Sequence, residues 1–311
     1  MEESKKINRR KFIRNSVYAG AGIWLSSKIP FNSFAKNDVK KITILSTNDT
    51  HSRIEPFPMD GSRNQGLAGC ARRATLIKKI RKEEKNVLLF DAGDIIQGTP
   101  YFNYFNGELE FKLMSEMKYD GAVIGNHEFD AGLNTLAKNI KNSSFPFIIS
   151  NYDVSETPLK NLTINNKVFE MDGIKIGVFG LGIELQGLVS ESLYKNIKYL
   201  DPTKVAIEQE NILKNEKKCD LIICISHLGF DYESNKINDI KIAQKTNYIN
   251  YIISGHTHTF MKKPEIIENA EGAECQIFQQ GFAGIYLGRM DFYFEKDLKP
   301  KVKHSKTLKI Y

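Results

Sequence analysis

An α/β fold of two packed sheets flanked by helices is predicted for this 311-residue chain, on three observations. Short apolar or β-branched runs alternate with segments of helical period through the first half. A hairpin and further short strands follow in the second half. Five of the predicted strands end in clusters of Asp, Asn or His, and open α/β sheets form their binding crevice at the carboxyl ends of strands. The length and a hydrophobic fraction of 41% permit a sizeable core. Neither low-complexity tracts nor an internal repeat interrupts the chain. With no clear linker after the N-terminal segment, residues 36–311 read as one layered domain.

Ile42 to Thr47 is β-branched and apolar, which predicts a strand ending in Asn48-Asp49-Thr50-His51. Prolines and Gly61 make Ser52 to Gln65 a loop. Over Leu67 to Glu84, the apolar positions Leu67, Cys70, Ala71, Ala74, Ile77 and Ile80 recur at helical spacing with basic residues between them. Val87 to Phe90 is a second buried strand, closing in Asp91-Ala92-Gly93-Asp94, and a helix follows over Glu108 to Met117. The third strand, Ala122 to Ile124, runs into Gly125-Asn126-His127-Glu128-Phe129-Asp130; a helix over Leu133 to Lys141 and a strand over Phe147 to Ser150 come next. Asn166 to Met171 and Ile174 to Gly180 flank Asp172-Gly173, a pair suited to the positive φ angles of a two-residue hairpin turn. Ala206 to Asn215 is read as helix, Leu221 to Ser226 as a strand ending at His227, and Tyr248 to Ile253 as a strand ending in Ser254-Gly255-His256-Thr257-His258. Short strands are expected near Gln276 to Gln280, Tyr286 to Phe294 and Val302 to Ile310.

Polar groups at the end of a buried strand must find partners or meet a desolvation cost of roughly 2–7 kcal/mol each. Alone, the stretch around His127 fits either a ligand cluster or a capped turn with Asn126 as N-cap and Glu128 in the first turn. The recurrence separates these readings. Asp49, His51, Asp94, Asn126, His127, His227, His256 and His258 all fall just past strand ends, and five of the six histidines are among them, His304 being the exception. A mixed oxygen and nitrogen donor set without cysteine suits Zn, Mn or Fe. The donors exceed what one tetrahedral ion uses, so two divalent metal ions sharing one bridging carboxylate are expected.

The formal charge of +7 is concentrated at the N-terminus: residues 1–35 hold seven Lys or Arg against Glu2 and Glu3, which leaves +2 for the rest. A nearly neutral body gives no electrostatic footprint for nucleic acid. Asn8-Arg9-Arg10-Lys11-Phe12-Ile13 has the pattern of a twin-arginine export signal, followed by apolar Val17 to Leu25 and a small-residue site, Ser33-Phe34-Ala35. That apolar stretch falls short of the about 20 residues of a membrane helix. Residues 1–35 are therefore expected to be an export signal and not a transmembrane segment, and the protein periplasmic or otherwise exported. Cys70, Cys219, Cys224 and Cys275 match no zinc ribbon or disulfide scaffold, and Cys224 reads as a buried thiol.

The order Asp-x-His, Gly-Asp, Gly-Asn-His-Glu, a lone His after a strand and Gly-His-x-His resembles the calcineurin-like metallophosphoesterases. Ser46-Thr47-Asn48-Asp49-Thr50-His51, Asp91-Ala92-Gly93-Asp94 and Gly125 to Asp130 make the chain similar, over about residues 40–295, to the metal-binding domain of the 5′-nucleotidase family. The resemblance implies a four-layer αββα sandwich of two mixed sheets flanked by helices. It implies one ion on Asp49, His51, Asp94 and His258, and a second on Asp94, Asn126, His227 and His256, with Asp94 as the bridge. By the same resemblance His127 is no ligand but sits beside the substrate phosphoryl group, paired with Asp130, and Asp91 is structural. The activity implied is hydrolysis of a small-molecule phosphoester such as a 5′-nucleotide. Paired ions activate water for in-line displacement, and His127 stabilises charge or protonates the leaving alkoxide.

Full-length members of that family carry a second, C-terminal domain with phosphate-binding arginines and an aromatic clamp for the base. Seventeen residues follow Phe294 here, too few for such a domain, so the expected partner is a separate 5′-nucleotidase C-terminal-domain chain. Two further readings stay open: a hydrolase of sulfur esters or thiosulfate, after a related exported branch of the superfamily, and a non-catalytic metal-binding module. Arg53, Arg72 and Arg73, the arginines nearest the motifs, are expected to be solvated.

Overall fold

A computed structural model describes residues 39–311; the expected export signal at residues 1–35 lies outside the described residues. One sheet contains β1 (Lys40–Thr47), β2 (Val87–Asp91), β3 (Gly121–Ala122), β4 (Phe147–Ile148), β6 (Thr163–Ile164), β14 (Tyr286–Phe294) and β15 (Pro300–Lys309), in the order β15-β14-β1-β2-β3-β4-β6. The other contains β7 (Asn166–Met171), β8 (Ile174–Leu181), β10 (Leu221–Ser226), β11 (Tyr251–Ser254), β12 (Glu265–Glu268) and β13 (Glu274–Phe278), in the order β12-β13-β11-β10-β8-β7. A small ribbon pairs β5 (Tyr152–Asp153) with β9 (Lys198–Tyr199). The helices are α1 (Cys70–Glu83), α2 (Pro100–Phe105), α3 (Glu108–Glu116), α4 (Leu133–Asn142), α5 (Pro202–Asn211) and α6 (Asp239–Lys245).

Why the sheets stack is visible in β10. Successive side chains of a strand point to opposite faces, and Leu221, Ile223 and Ile225 join a core shared with Ile42, Leu88 and Phe90 of the first sheet. Ile222 and Cys224, on the other face, pack in a second core with Val205, Ala206, Ile242 and Ala243 of α5 and α6. A strand covered on both faces reads as a continuous apolar run. The first sheet is covered on its outer side by Ile77 and Ile80 of α1 and Phe111 and Met114 of α3. The layers are thus helix, sheet, sheet, helix.

The hairpin between β7 and β8 turns at Asp172 and Gly173, with φ of 51° and 73°, the left-handed pair a type I′ turn requires. Several element ends differ from expectation for local reasons. α1 starts at Cys70 and not Leu67, because Ala68 and Gly69 hold φ of 66° and 103°. α5 starts earlier than Ala206: Asp201 accepts the N–H groups of Thr203 and Lys204, and Pro202 occupies the first turn. β11 begins at Tyr251 because the N–H groups of Asn247 and Tyr248 go to the Glu210 carboxylate. The unexpected α2 buries none of its side chains, so it carries no apolar period. The lysine-rich C-terminal segment forms an edge strand, a position where lysines discourage further pairing.

All four cysteines are free and buried. Arg73 corrects an expectation: it is only 5% exposed, and its Nη2 faces Cys70 Sγ at 3.9 Å. Its place one residue after Arg72 on a basic helix hid that it faces inward. Among the described residues no helix is long and apolar enough to cross a membrane.

Candidate metal centre

β1, β2 and β3 are parallel neighbours, as are β8, β10, β11 and β13. Their carboxyl ends therefore open on one edge of the sandwich, and five chain segments meet there. Three groups of side chains each bring their ligand atoms within 4.8 Å of one another: Asp49, His51 and His258; His51, Asp94 and His127; Asp94, His227 and His256. His51 and Asp94 each belong to two groups, so the set is one continuous centre with Asp94 in its middle.

Inside the centre, donor atoms of different side chains crowd one another. His51 Nε2 and His258 Nε2 lie 3.0 Å apart, and His258 Nε2 is 3.4 Å from Asp49 Oδ1. His227 Nε2 is 3.0 Å from Asp94 Oδ2 yet lacks the direction of a hydrogen bond. Asn126 Oδ1 and His51 Nδ1 are also buried without a partner. Leaving a buried polar atom unsatisfied costs about 1–3 kcal/mol. An arrangement of such atoms fits an ion that would satisfy several at once, and the donors are the carboxylate, amide and imidazole groups that divalent transition metals take.

The backbone is shaped to this end. Asp49, His51, Asp94, His256 and His258 all have positive φ, at 49°, 46°, 54°, 68° and 53°. Left-handed backbone costs an L-residue about 1–2 kcal/mol, so surrounding bonds must impose it. They do: Asp49 and His51 donate their N–H groups to Gly93 O and Asp94 O at 2.9 and 3.1 Å. The His256 N–H reaches Asp49 Oδ2 at 3.0 Å. His227 Nδ1 donates to Ala92 O at 2.5 Å, which leaves Nε2 as the atom turned toward Asp94.

Electrostatics agree with this reading. Burial would raise the Asp94 carboxyl, but the imidazoles of His227, His127 and His51 hold it well below the usual carboxylate range. Against burial, which disfavours its charge, Asp94 pushes the His227 imidazole up to about 10. Burial, with help from His227, lowers His256 to about 3, so its ring is neutral, as ligation requires.

His127 is turned differently. Its Nδ1 lies 2.7 Å from Asp130 Oδ2, and its backbone N–H donates to Asp94 Oδ1 at 2.8 Å. Burial lowers its pKa, but the Asp130 bond and Asp94 raise it overall. Nδ1 is engaged, and Nε2 is left for another partner.

Two positioning residues escaped the sequence reading. Glu128 accepts the N–H groups of Gly125, Ile95 and Asp94 at 2.6, 2.7 and 2.9 Å. Asn48 donates to Asp49 Oδ2 and to Gly281 O, both at 2.6 Å, and accepts the Gln280 N–H at 2.8 Å. Their signal was adjacency to ligand-type residues, which does not separate a ligand from its support. Asp91 lies outside the centre: it accepts Thr47 Oγ1 at 2.6 Å and the Gly93 N–H at 2.9 Å.

A layered α/β protein with a centre of carboxylates, carboxamide and imidazoles at its strand ends is, by class, one built to hold divalent metal ions there. Residues 42–260 match the family described as calcineurin-like phosphoesterase, and the chain belongs to that family, whose members are phosphoester hydrolases using divalent metals. It is 31% identical over 280 residues to the snake venom 5′-nucleotidase of Naja atra, an alignment covering 82% of this chain and 50% of that protein. With the trifunctional nucleotide phosphoesterase protein YfkN of Bacillus subtilis it shares 30% identity over 322 residues, covering 92% of this chain and 20% of that one. Among solved structures it is similar to a 5′-nucleotidase precursor from Thermus thermophilus, with a TM-score of 0.79, 28% identity and coverage of 87% and 55%. It shares the fold of the sulfate thiohydrolase SoxB from Thermus thermophilus at a TM-score of 0.71, 16% identity and coverage of 86% and 56%. The chain spans half or less of the length of the two curated relatives.

Proposed function

We propose that this chain is an exported, two-metal phosphomonoesterase acting on 5′-nucleotides. The observation that carries the reading is the chain of three overlapping ligand groups linked through His51 and Asp94, with the His127 imidazole held by Asp130. Asp49, His51, Asp94 and His258 would hold one divalent ion, and Asp94, Asn126, His227 and His256 the other. Two such ions supply Lewis acidity to the phosphoryl oxygens and an activated water.

The chain's own residues do the rest. His127 Nε2 faces the phosphoryl group, stabilises its developing charge and gives a proton to the departing alkoxide. Asp130 holds the Nδ1 proton, which fixes the tautomer and keeps the ring's pKa raised. The products are the alcohol and inorganic phosphate, and no covalent enzyme intermediate is needed.

The nucleotide specificity draws on the names of the relatives, several of which are 5′-nucleotidases. The likeness to the sulfate thiohydrolase is one of fold, so the phosphoester is preferred. Export is supported by the Arg9-Arg10 pattern and the apolar stretch after it; fractionation of cells carrying the full chain and an Arg9→Lys, Arg10→Lys variant tests it. For the activity, the purified protein loaded with Mn²⁺ or Zn²⁺ is assayed for release of phosphate from 5′-AMP and of sulfate from a sulfur ester. Phosphate release supports the reading; sulfate release alone overturns it.

A further inference from the structure

A groove of about 600 Å³ is lined by Phe282, the ring that stacks on His258, and its size lies within the roughly 300–1,000 Å³ of small-molecule sites. Its walls include Phe260, Phe282 and Tyr286, its rim Arg63, Lys262 and Lys309, and no acidic side chain lines it. The aromatic rings run outward from the centre in steps. Phe282 stacks on the His258 imidazole at 5.2 Å and 19°. Phe260 stands edge-on to Phe282 at 5.8 Å and 67° and to Tyr286 at 5.4 Å and 83°.

These rings are locked to the centre. The loop carrying Phe282 is tied to the Asp49 loop by the Ala283 N–H on Asp49 O at 2.6 Å, beside the Asn48 bonds to Gly281 and Gln280. Phe260 lies against the backbone of Gly281, where a Cβ would run into its ring. Yet Phe260 is 47% exposed. The small core nearby, Ala68, Ala283 and Ile285, is closed by Phe57, Leu67, Phe282 and Tyr286, and Phe260 meets the last two only edge-on. Core packing therefore does not account for an aromatic ring fixed on three sides and open on one.

We infer that this groove is a subsite for the planar base of a nucleotide leaving group, with Phe260 as its stacking platform and the basic rim matching the anionic character of the substrate. The inference rests on the phosphoester reading above and puts base recognition on this chain, where a separate chain was expected to supply it. A phosphoryl group at the centre directs its leaving group past His258 toward Phe282 and then Phe260, sugar first and base second. Stacking on an aromatic side chain is sequence-tolerant, because every base has a π-face, so purine and pyrimidine nucleotides should both profit.

The test uses the full chain loaded with Mn²⁺, as wild type, Phe260→Leu and Phe260→Tyr. Leucine keeps the apolar bulk without the planar face; tyrosine restores the face. Phe260→Leu should lower kcat/KM for 5′-AMP roughly 5- to 150-fold more than for ribose 5-phosphate, and Phe260→Tyr should recover most of it. Equal losses on both substrates, or none on 5′-AMP, would overturn the subsite. Adenosine binding followed by ligand-observed NMR separates the two proposals. If the wild type hydrolyses no phosphoester, the phosphoester reading fails; adenosine binding that disappears in Phe260→Leu then upholds an aromatic site, and no adenosine binding removes it.

Discussion

Glu128 accepts the backbone N–H of Asp94 at 2.9 Å, and the same carboxylate oxygen takes the N–H of Gly125 at 2.6 Å. One buried side chain therefore holds the loops after β2 and β3 at a fixed separation, with Asp94 on one and Asn126 on the other. Burial first, and then Asp94, pushes the Glu128 carboxyl up to about 7, against the N–H bonds that favour its anion. An amide in its place would turn an NH₂ group toward these donors.

Glu128→Gln should accordingly lower metal affinity about 10- to 100-fold, the usual cost of losing a group that orients ligands. Titration of the metal-free protein with Zn²⁺ or Mn²⁺ measures it. Affinity equal to wild type would remove Glu128 from the account.

His127→Ala should lower turnover roughly 10²- to 10⁴-fold, the range of a general acid, while bound metal per chain stays as in wild type. Loss of metal in this variant would make His127 a ligand. Asp130→Asn, which leaves the imidazole in place but weakens its hold on the Nδ1 proton, should reduce kcat with little change in KM.

Gly125→Ala tests the close approach of the two loops. A Cβ there would reach within 2.5 Å of the Asp94 backbone nitrogen and collide with its carboxylate. Displacing Asp94 by an ångström should cost on the order of 10²-fold in activity. A fully active variant would show that the loops can separate without harm to the centre.

Away from the centre, a charge network ties the start of β1 to α1 and β14. Lys41 Nζ is 2.8 Å from Glu84 and 3.2 Å from Asp291, and Arg289 Nη2 is 2.9 Å from Asp291. Burial would raise both carboxyls, but hydrogen bonds from Lys41 and Arg289 hold Glu84 and Asp291 below their ordinary 4.5 and 3.8. When the folded value is the lower one, the unfolded chain binds protons first. The stability these groups contribute is complete above the ordinary values and is lost as pH falls through the folded ones. Asp291→Asn should be less stable than wild type by about 1.5–3 kcal/mol at pH 7, and the gap should close as the solution is acidified below pH 3.8. A gap that stays constant in denaturant titrations carried well below pH 3.8 would contradict this.

The central strands of the two sheets were legible because both their faces are buried, so that runs such as Leu221 to Ile225 are apolar throughout. The ligand-type residues were legible because imidazoles and carboxylates at the ends of such runs have no apolar reason to be there. Less visible were features set by contacts distant in sequence. Asn48 serves Gly281, more than two hundred residues away. Arg73 lies against Gly284, a neighbour that no helical period reveals. The aromatic groove is assembled from Phe260 on one stretch and Phe282 and Tyr286 on another, each ordinary when read alone.

The most direct measurement is the metal content of the purified full chain, taken together with phosphate release from 5′-AMP before and after chelation. The account predicts two divalent ions per chain, activity abolished by chelation and restored by Mn²⁺ or Zn²⁺, and loss of both ions in Asp94→Asn because that carboxylate serves both. One ion per chain at full activity, or hydrolysis that survives chelation, would contradict it.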